Sequence, residues 1–217
     1  YDDARRPMSE IVRPTYFPGL DIVPANLELM EFEHDTPKAL VEGEGEPFFG
    51  RIATALGQVQ DDYDVMVLDC PPQLGFLTLG ALCAATSVLI TVHPQMLDVM
   101  SMCQFLLMAS DLLSVVQEAG ADLDYDFLRY VVTRYEPSDA PQTQMVAFMR
   151  SLFRERVLTN IMLKSTAISD AGLSKQTLYE IGRENFTRST YDRALESLDA
   201  VNSEVEALMW QSWGRTA

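Results

Sequence analysis

The chain has 217 residues, 47% of them hydrophobic and 22% charged, which suits one domain with a real core and excludes intrinsic disorder and collagen-like architecture. Lys and Arg number 16 against 32 Asp and Glu, a formal charge of −16, so the average surface repels nucleic acid. No apolar run is expected to reach the ~18–20 residues that span a bilayer, because Asp98 and Asp111 break the longest stretch.

The chain opens on polar, irregular residues with no secretory pattern. Residues 20–26 read as a short strand ended by Pro24, and 27–32 as a helical turn. Pro37 and the acidic Gly43–Gly45 stretch mark a loop. Apolar positions 48, 49, 52, 55, 56 and 59 predict a helix over 48–59, and 61–64 a turn. Residues 65–68 form a continuous apolar run, the pattern of a parallel strand buried on both faces. A helix over 74–85 and a second buried strand over 87–93 follow. Residues 97–119 predict a long helix rich in Met and Leu, stopped by Gly120. Met100, Met102 and Met108 read as core or interface filler.

A third strand is expected over 127–133, a helix from Pro141 to about 154, and a shorter fourth strand over 156–162. Residues 165–174 read as a Ser/Thr/Gly-rich loop. The last helix is expected over about 190–213, with Tyr191, Ala194, Leu195, Leu198, Val201, Val205 and Leu208 along one face. Strands alternating with helices specify an α/β fold with a mainly parallel sheet. Cys70, Cys83 and Cys103 are odd in number and lack a CxxC pair, which excludes a disulfide framework and a zinc knuckle and fits a reducing cytoplasm. His34 and His93 are too few and too far apart for a metal site. His93 reads as a structural residue at a strand end.

Charge is unevenly spread. Residues 150–193 carry 8 basic and 5 acidic side chains, the one net-positive stretch of the chain.

The segment that carries chemistry is Tyr63-Asp-Val-Met-Val-Leu-Asp69-Cys-Pro-Pro-Gln-Leu-Gly75. An apolar strand ends in a carboxylate, then a double proline and a glycine. A strand-end Asp of this kind holds Mg²⁺ beside a bound nucleotide in P-loop NTPases, at the strand ends where open α/β sheets bind ligands. Pro71 and Pro72 fix the exit direction, and Gly75 is expected to permit an unusual turn. The structural alternative is that Asp69 caps the helix that follows.

Residues 63–78 resemble the Walker B and switch II segment of the ParA-type partition ATPases, a deviant Walker subfamily of P-loop proteins. The likeness continues through Ser87-Val-Leu-Ile-Thr-Val-His93-Pro94-Gln95, Phe153-Arg-Glu-Arg-Val157 and Ser169-Asp170-Ala171. The stretch from Met162 to Glu180 resembles more narrowly the RepA proteins of repABC-type plasmids. The resemblance implies a P-loop fold with helices on both faces of the sheet. It implies an ATP hydrolase that binds ATP–Mg²⁺, forms a homodimer around nucleotide, and binds nucleoid DNA nonspecifically in the bacterial cytoplasm without a membrane. A centromere-binding partner of the ParB or RepB type would stimulate hydrolysis.

Carried over by position, Asp69 is the Mg²⁺-linked catalytic acid, acting through water. Pro71, Pro72 and Gln73 are switch II, sensing the γ-phosphate and forming part of the dimer face. Thr133 and Arg134 sit where the family contacts adenine, as do Met162 and Leu163, the latter in place of a proline common among relatives. Arg150, Arg154, Arg156 and Lys164 occupy the places of basic residues that face DNA. The family's phosphate loop and switch I aspartate have no counterpart here, since no G-x-x-x-x-G-K-[ST] string occurs and Gly43-Glu-Gly45-Glu is acidic. The expectation is the C-terminal part of a single ATPase domain, its phosphate loop and any N-terminal DNA-binding domain lying upstream, and a fragment that by itself hydrolyses nothing. Two other readings are a non-catalytic module of the same fold and a MinD-like positioning ATPase. The acidic last helix opposes the latter by repelling anionic lipid.

Overall fold

The computed structural model describes residues 6–42, 48–121, 123–186 and 188–214. They fall into two compact units, residues 1–85 with 107–124, and residues 86–106 with 125–217. The Gly43–Gly45 loop lies outside the described residues.

The first unit starts with α1 (Met8–Ile11) and a two-residue antiparallel hairpin, β1 (Arg13–Pro14) on β2 (Asp21–Ile22). The strand expected over 20–26 is confined to this hairpin. Helix α2 (Leu29–Glu42) then runs straight through Pro37, where a loop was expected. Thr36, only 1% exposed, donates its hydroxyl to the Phe32 carbonyl at 2.6 Å. Tertiary packing here overrides the helix-breaking cost of the proline.

The helix expected over 48–59 divides into a 3₁₀ turn (Phe48–Gly50) and α3 (Arg51–Gly57). Both pack on α4 (Phe76–Ala84). The Phe48 and Phe76 rings meet edge-on at 5.0 Å.

The buried strand expected over 65–68 is not formed. The run joins no ladder among the described residues, and Val67 is 87% exposed. An apolar run becomes a buried strand only where neighbours pair its edges and cover its faces, and among the described residues none pairs with it.

The second unit is built on β3 (Ser87–Val92), followed by α5 (Met96–Glu118), whose later half belongs to the first unit. Contrary to the sequence expectation, α5 is long and apolar enough to cross a membrane by length and composition, Asp98 and Asp111 notwithstanding. Its Val99 and Met102 are instead buried in a protein core. Strand β4 (Phe127–Val132) pairs with β3 in parallel, from Ser87 opposite Phe127 to Val92 opposite Val132. Helices α6 (Ala140–Phe153), α7 (Thr166–Leu173) and α8 (Arg188–Ser212) complete the unit.

Alternation along β4 sorts the core. Tyr130 and Val132 pack with Val92, Val99 and Met102, and with Met145, Val146 and Met149 of α6. Val131 points the other way, onto Leu158 and Val201 of α8. Helices therefore cover both faces of the parallel pair, as expected.

The fourth strand is reduced to two parallel bridges, Val157 with Tyr130 and Leu163 with Tyr135. Between the bridges the N–H groups of Thr159 and Asn160 go to the Glu204 carboxylate. Residues 165–174, expected as a loop, contain α7, capped by Ser165 Oγ accepting from Ala167 N at 3.2 Å. Its small residues mislead: Ala167 and Ala171 are buried against Tyr191 and Ala194 of α8.

Candidate functional site

In the first unit the site is the segment from Asp69 to Gln73, exposed throughout. It follows the apolar run 65–68 and contains Pro71 and Pro72, whose φ is locked and whose main chain donates nothing. Gln73 N donates to Pro71 O at 2.8 Å, and Gln73 O accepts from the Thr78 hydroxyl at 2.7 Å, which ties the turn to α4. Asp69 is not a cap: α4 begins at Phe76, with Gly75 at the capping position.

The cap comes from α2. Glu33 Oε2 accepts from Phe76 N at 2.9 Å and Oε1 from Leu77 N at 2.8 Å. Gly75, expected to serve an unusual turn, has φ −100° and ψ −177°, which any residue adopts. Its requirement is space, since a Cβ would lie 2.6 Å from Glu33 Oε1. Although the residue is exposed overall, desolvation of the Cys70 thiol by its surroundings, and then the Asp69 charge, raise it above its ordinary pKa.

In the second unit the residues expected to frame a base come together at the carboxyl ends of the parallel strands. Thr133 N donates to Val92 O at 2.9 Å, and Tyr135 N to Met162 O at 3.1 Å. Met162 N donates to Val132 O and Lys164 N to Tyr135 O, both at 2.9 Å. Thr133 and Arg134 thus lie beside Met162 and Leu163 through main-chain pairing. Arg134 turns with φ 56°, the left-handed region that non-glycine residues seldom occupy.

Of the four basic residues, Arg150, Arg154 and Arg156 are exposed at the carboxyl end of α6 and in the 3₁₀ turn after it (Arg154–Arg156). Arg150 also donates to Thr159 O at 2.9 Å. Lys164 stands on the other segment and pairs with Glu136 at 2.7 Å, so its charge is already partly met.

Sequence reasoning missed the supports. Glu33 and Glu204 act across 43 to 45 positions, beyond any local pattern. Gln142, 2% exposed, holds Glu136 N at 2.9 Å while its N–H groups go to Asp139. That pair had a local signal, the capping-box spacing Asp139-x-x-Gln142.

A family described as AAA domain matches residues 4–118. The chain is 61% identical to "Putative replication protein A" of Sinorhizobium fredii (strain NBRC 101917 / NGR234), over 99% of its length and 54% of that protein's. It is 30% identical to the chromosome partitioning protein ParA of Myxococcus xanthus (strain DK1622), over 76% of the chain and 54% of that protein. A solved structure titled "Partition Protein" superposes with a TM-score of 0.70 at 18% identity, covering 91% of this chain and 52% of the other. The chain thus spans about half the length of the curated relatives it matches, and its α/β fold is that of this structural neighbour.

Proposed function

Because the chain belongs to the ParA-type family of P-loop partition ATPases, we propose that it is the C-terminal part of a plasmid-partition ATPase domain in a longer protein. That protein binds ATP with Mg²⁺, dimerises around nucleotide, holds nucleoid DNA nonspecifically in the bacterial cytoplasm, and hydrolyses ATP under stimulation by a ParB- or RepB-type partner. The observation that carries this reading is the meeting of Thr133–Arg134 with Met162–Leu163 at the carboxyl ends of β3 and β4, the place where open α/β sheets take ligands.

The residues present fit the cofactor. Among the described residues no group of three or more His, Cys, Asp or Glu could enclose a metal. A single exposed carboxylate, Asp69, suits Mg²⁺, which keeps several waters and shares its ligation with phosphate oxygens. Bound there, the ion would neutralise charge on the transferring phosphoryl group. In the first unit the chain supplies Asp69 just ahead of Pro71 and Pro72; in the second, the paired segments offer main-chain groups suited to a base. Pro71, Pro72 and Gln73, exposed and stiff, are suited to report the γ-phosphate to a second subunit.

The test is Asp69→Ala in the full-length protein, read by ATP binding and phosphate release. Hydrolysis is lost while nucleotide binding persists, because Asp69 serves the metal rather than the base. Wild-type turnover in the variant would remove Asp69 from the chemistry, and absence of ATP binding by the wild type would overturn the reading.

A further inference from the structure

We propose that Glu204 and Ser197 of α8 are positioning residues that hold the base-framing main chain in place and thereby set nucleotide affinity and base selectivity. The inference rests on reading Thr133–Arg134 and Met162–Leu163 as that frame. The two residues are seven positions apart, about two helical turns, and so share one face.

Each grips one end of the same short segment. Glu204 Oε1 accepts from Thr159 N, and Oε2 accepts from both Asn160 N and Asn160 Nδ2, all at 2.8 Å. Ser197 Oγ accepts from Leu163 N at 3.3 Å and donates to Ala194 O at 3.0 Å, which fixes its orientation. Between these grips, Val201 packs with Leu158 and Val131, and Met162 joins that cluster beside Val205 and Leu208. The segment's other edge is bonded to β4 and Tyr135. Its position is therefore fixed by β4 on one side and by this α8 face on the other.

The pattern is more than packing, because the Asn160 N–H, in phase with the Leu158 N–H that bonds Tyr130 O, leaves the ladder for Glu204. A ladder continued from Leu158 would satisfy Asn160 N on β4, whereas Thr159 N faces away from β4 and finds its partner in Glu204. The ladder resumes two residues late, with Met162 N on Val132 O, and Glu204 holds the extra length of chain just before Met162 and Leu163. A base recognised through main-chain groups responds to displacements of about 1 Å, which can cost up to ~10²-fold. Contacts to the phosphates lie elsewhere, so losing the grip loosens the base and leaves the phosphate contacts as they are.

The experiment compares the full-length wild type with Glu204→Ala, Glu204→Gln and Ser197→Ala. Calorimetry gives affinities for ATP, GTP and inorganic tripolyphosphate, and steady-state kinetics give KM and kcat. Glu204→Ala should weaken ATP by about 10-fold, move the ATP-to-GTP preference toward unity, and leave tripolyphosphate affinity unchanged. The change should appear in KM rather than kcat. Glu204→Gln keeps one accepting oxygen and should fall between. Ser197→Ala should shift the same readouts by roughly 3-fold, and it carries the test if Glu204→Ala does not fold.

Unchanged ATP affinity in both alanine variants, with a wild type that binds ATP, would overturn this inference alone. Equal weakening of ATP and tripolyphosphate would overturn it too, by reducing Glu204 to a general prop of the fold. A folded wild type that binds no ATP would bring down the inference together with the functional reading on which it rests.

Discussion

Glu33 and Gly75 act as one device. The carboxylate of α2 satisfies two of the N–H groups that every helix leaves without partners at its start, and it meets the positive end of the α4 dipole. The missing Cβ of Gly75 is what lets it approach. Glu33→Ala should destabilise the chain by about 1 kcal/mol, the usual worth of a cap. Gly75→Ala should cost a similar amount by expelling the same carboxylate. Since both remove one interaction, the double variant should cost little more than either single one. Denaturant midpoints of the four proteins check this, and full additivity would mean that the glycine serves something else. The Asp69 segment stands out in the sequence because its signal is local: apolar run, carboxylate, two prolines. Glu33 was not, because its partner is 43 positions away and a glutamate in a helix resembles any solvated charge.

At the scale of elements, legibility followed packing. Helix α6 was readable from Pro141 near its start, and β4 from an apolar run that helices cover on both faces. Helix α7 was hidden because small residues that permit close approach to α8 read as a loop. The run 65–68 misled in the opposite sense, since its apolarity specifies a buried strand that needs partners the described residues do not supply.

The end of α6 also bears on DNA. In the full-length protein, changing Arg150, Arg154 and Lys164 together to Glu should weaken ATP-dependent binding to nonspecific DNA while ATP binding persists. Each lost phosphate contact should flatten the log–log salt dependence by about 0.9. The Glu136 carboxylate, 2.7 Å from Lys164, makes that residue the weakest contributor, so Arg154→Glu alone should change the slope more than Lys164→Glu alone. Mobility-shift titrations at several salt concentrations decide. A triple variant with the wild-type slope would make the patch an ordinary solvated surface.

At the scale of the whole chain, charge and inventory decide what these 217 residues can do alone. The net charge of −16 opposes a nucleotide that itself carries several negative charges, so phosphate binding demands a concentrated cationic cradle. Three lysines are present. Lys38 bonds to Asp35 at 3.0 Å and to His34, and Lys164 is taken by Glu136. Lys175 follows α7 with φ 54°, far in sequence from Asp69. No glycine-rich string with a following Lys exists to aim N–H groups at phosphates, and the Gly43–Gly45 stretch carries glutamates. Asp69 adds negative charge unless a metal bridges it to phosphate, so it cannot recruit nucleotide by itself. Purified residues 1–217 should therefore release phosphate from ATP with Mg²⁺ no faster than buffer, whereas Asp69→Ala should abolish release by the full-length protein. A phosphate-release assay on both checks this. Turnover by residues 1–217 that disappears in Asp69→Ala would place a working phosphate site within this chain and overturn the argument that it must come from elsewhere in the protein.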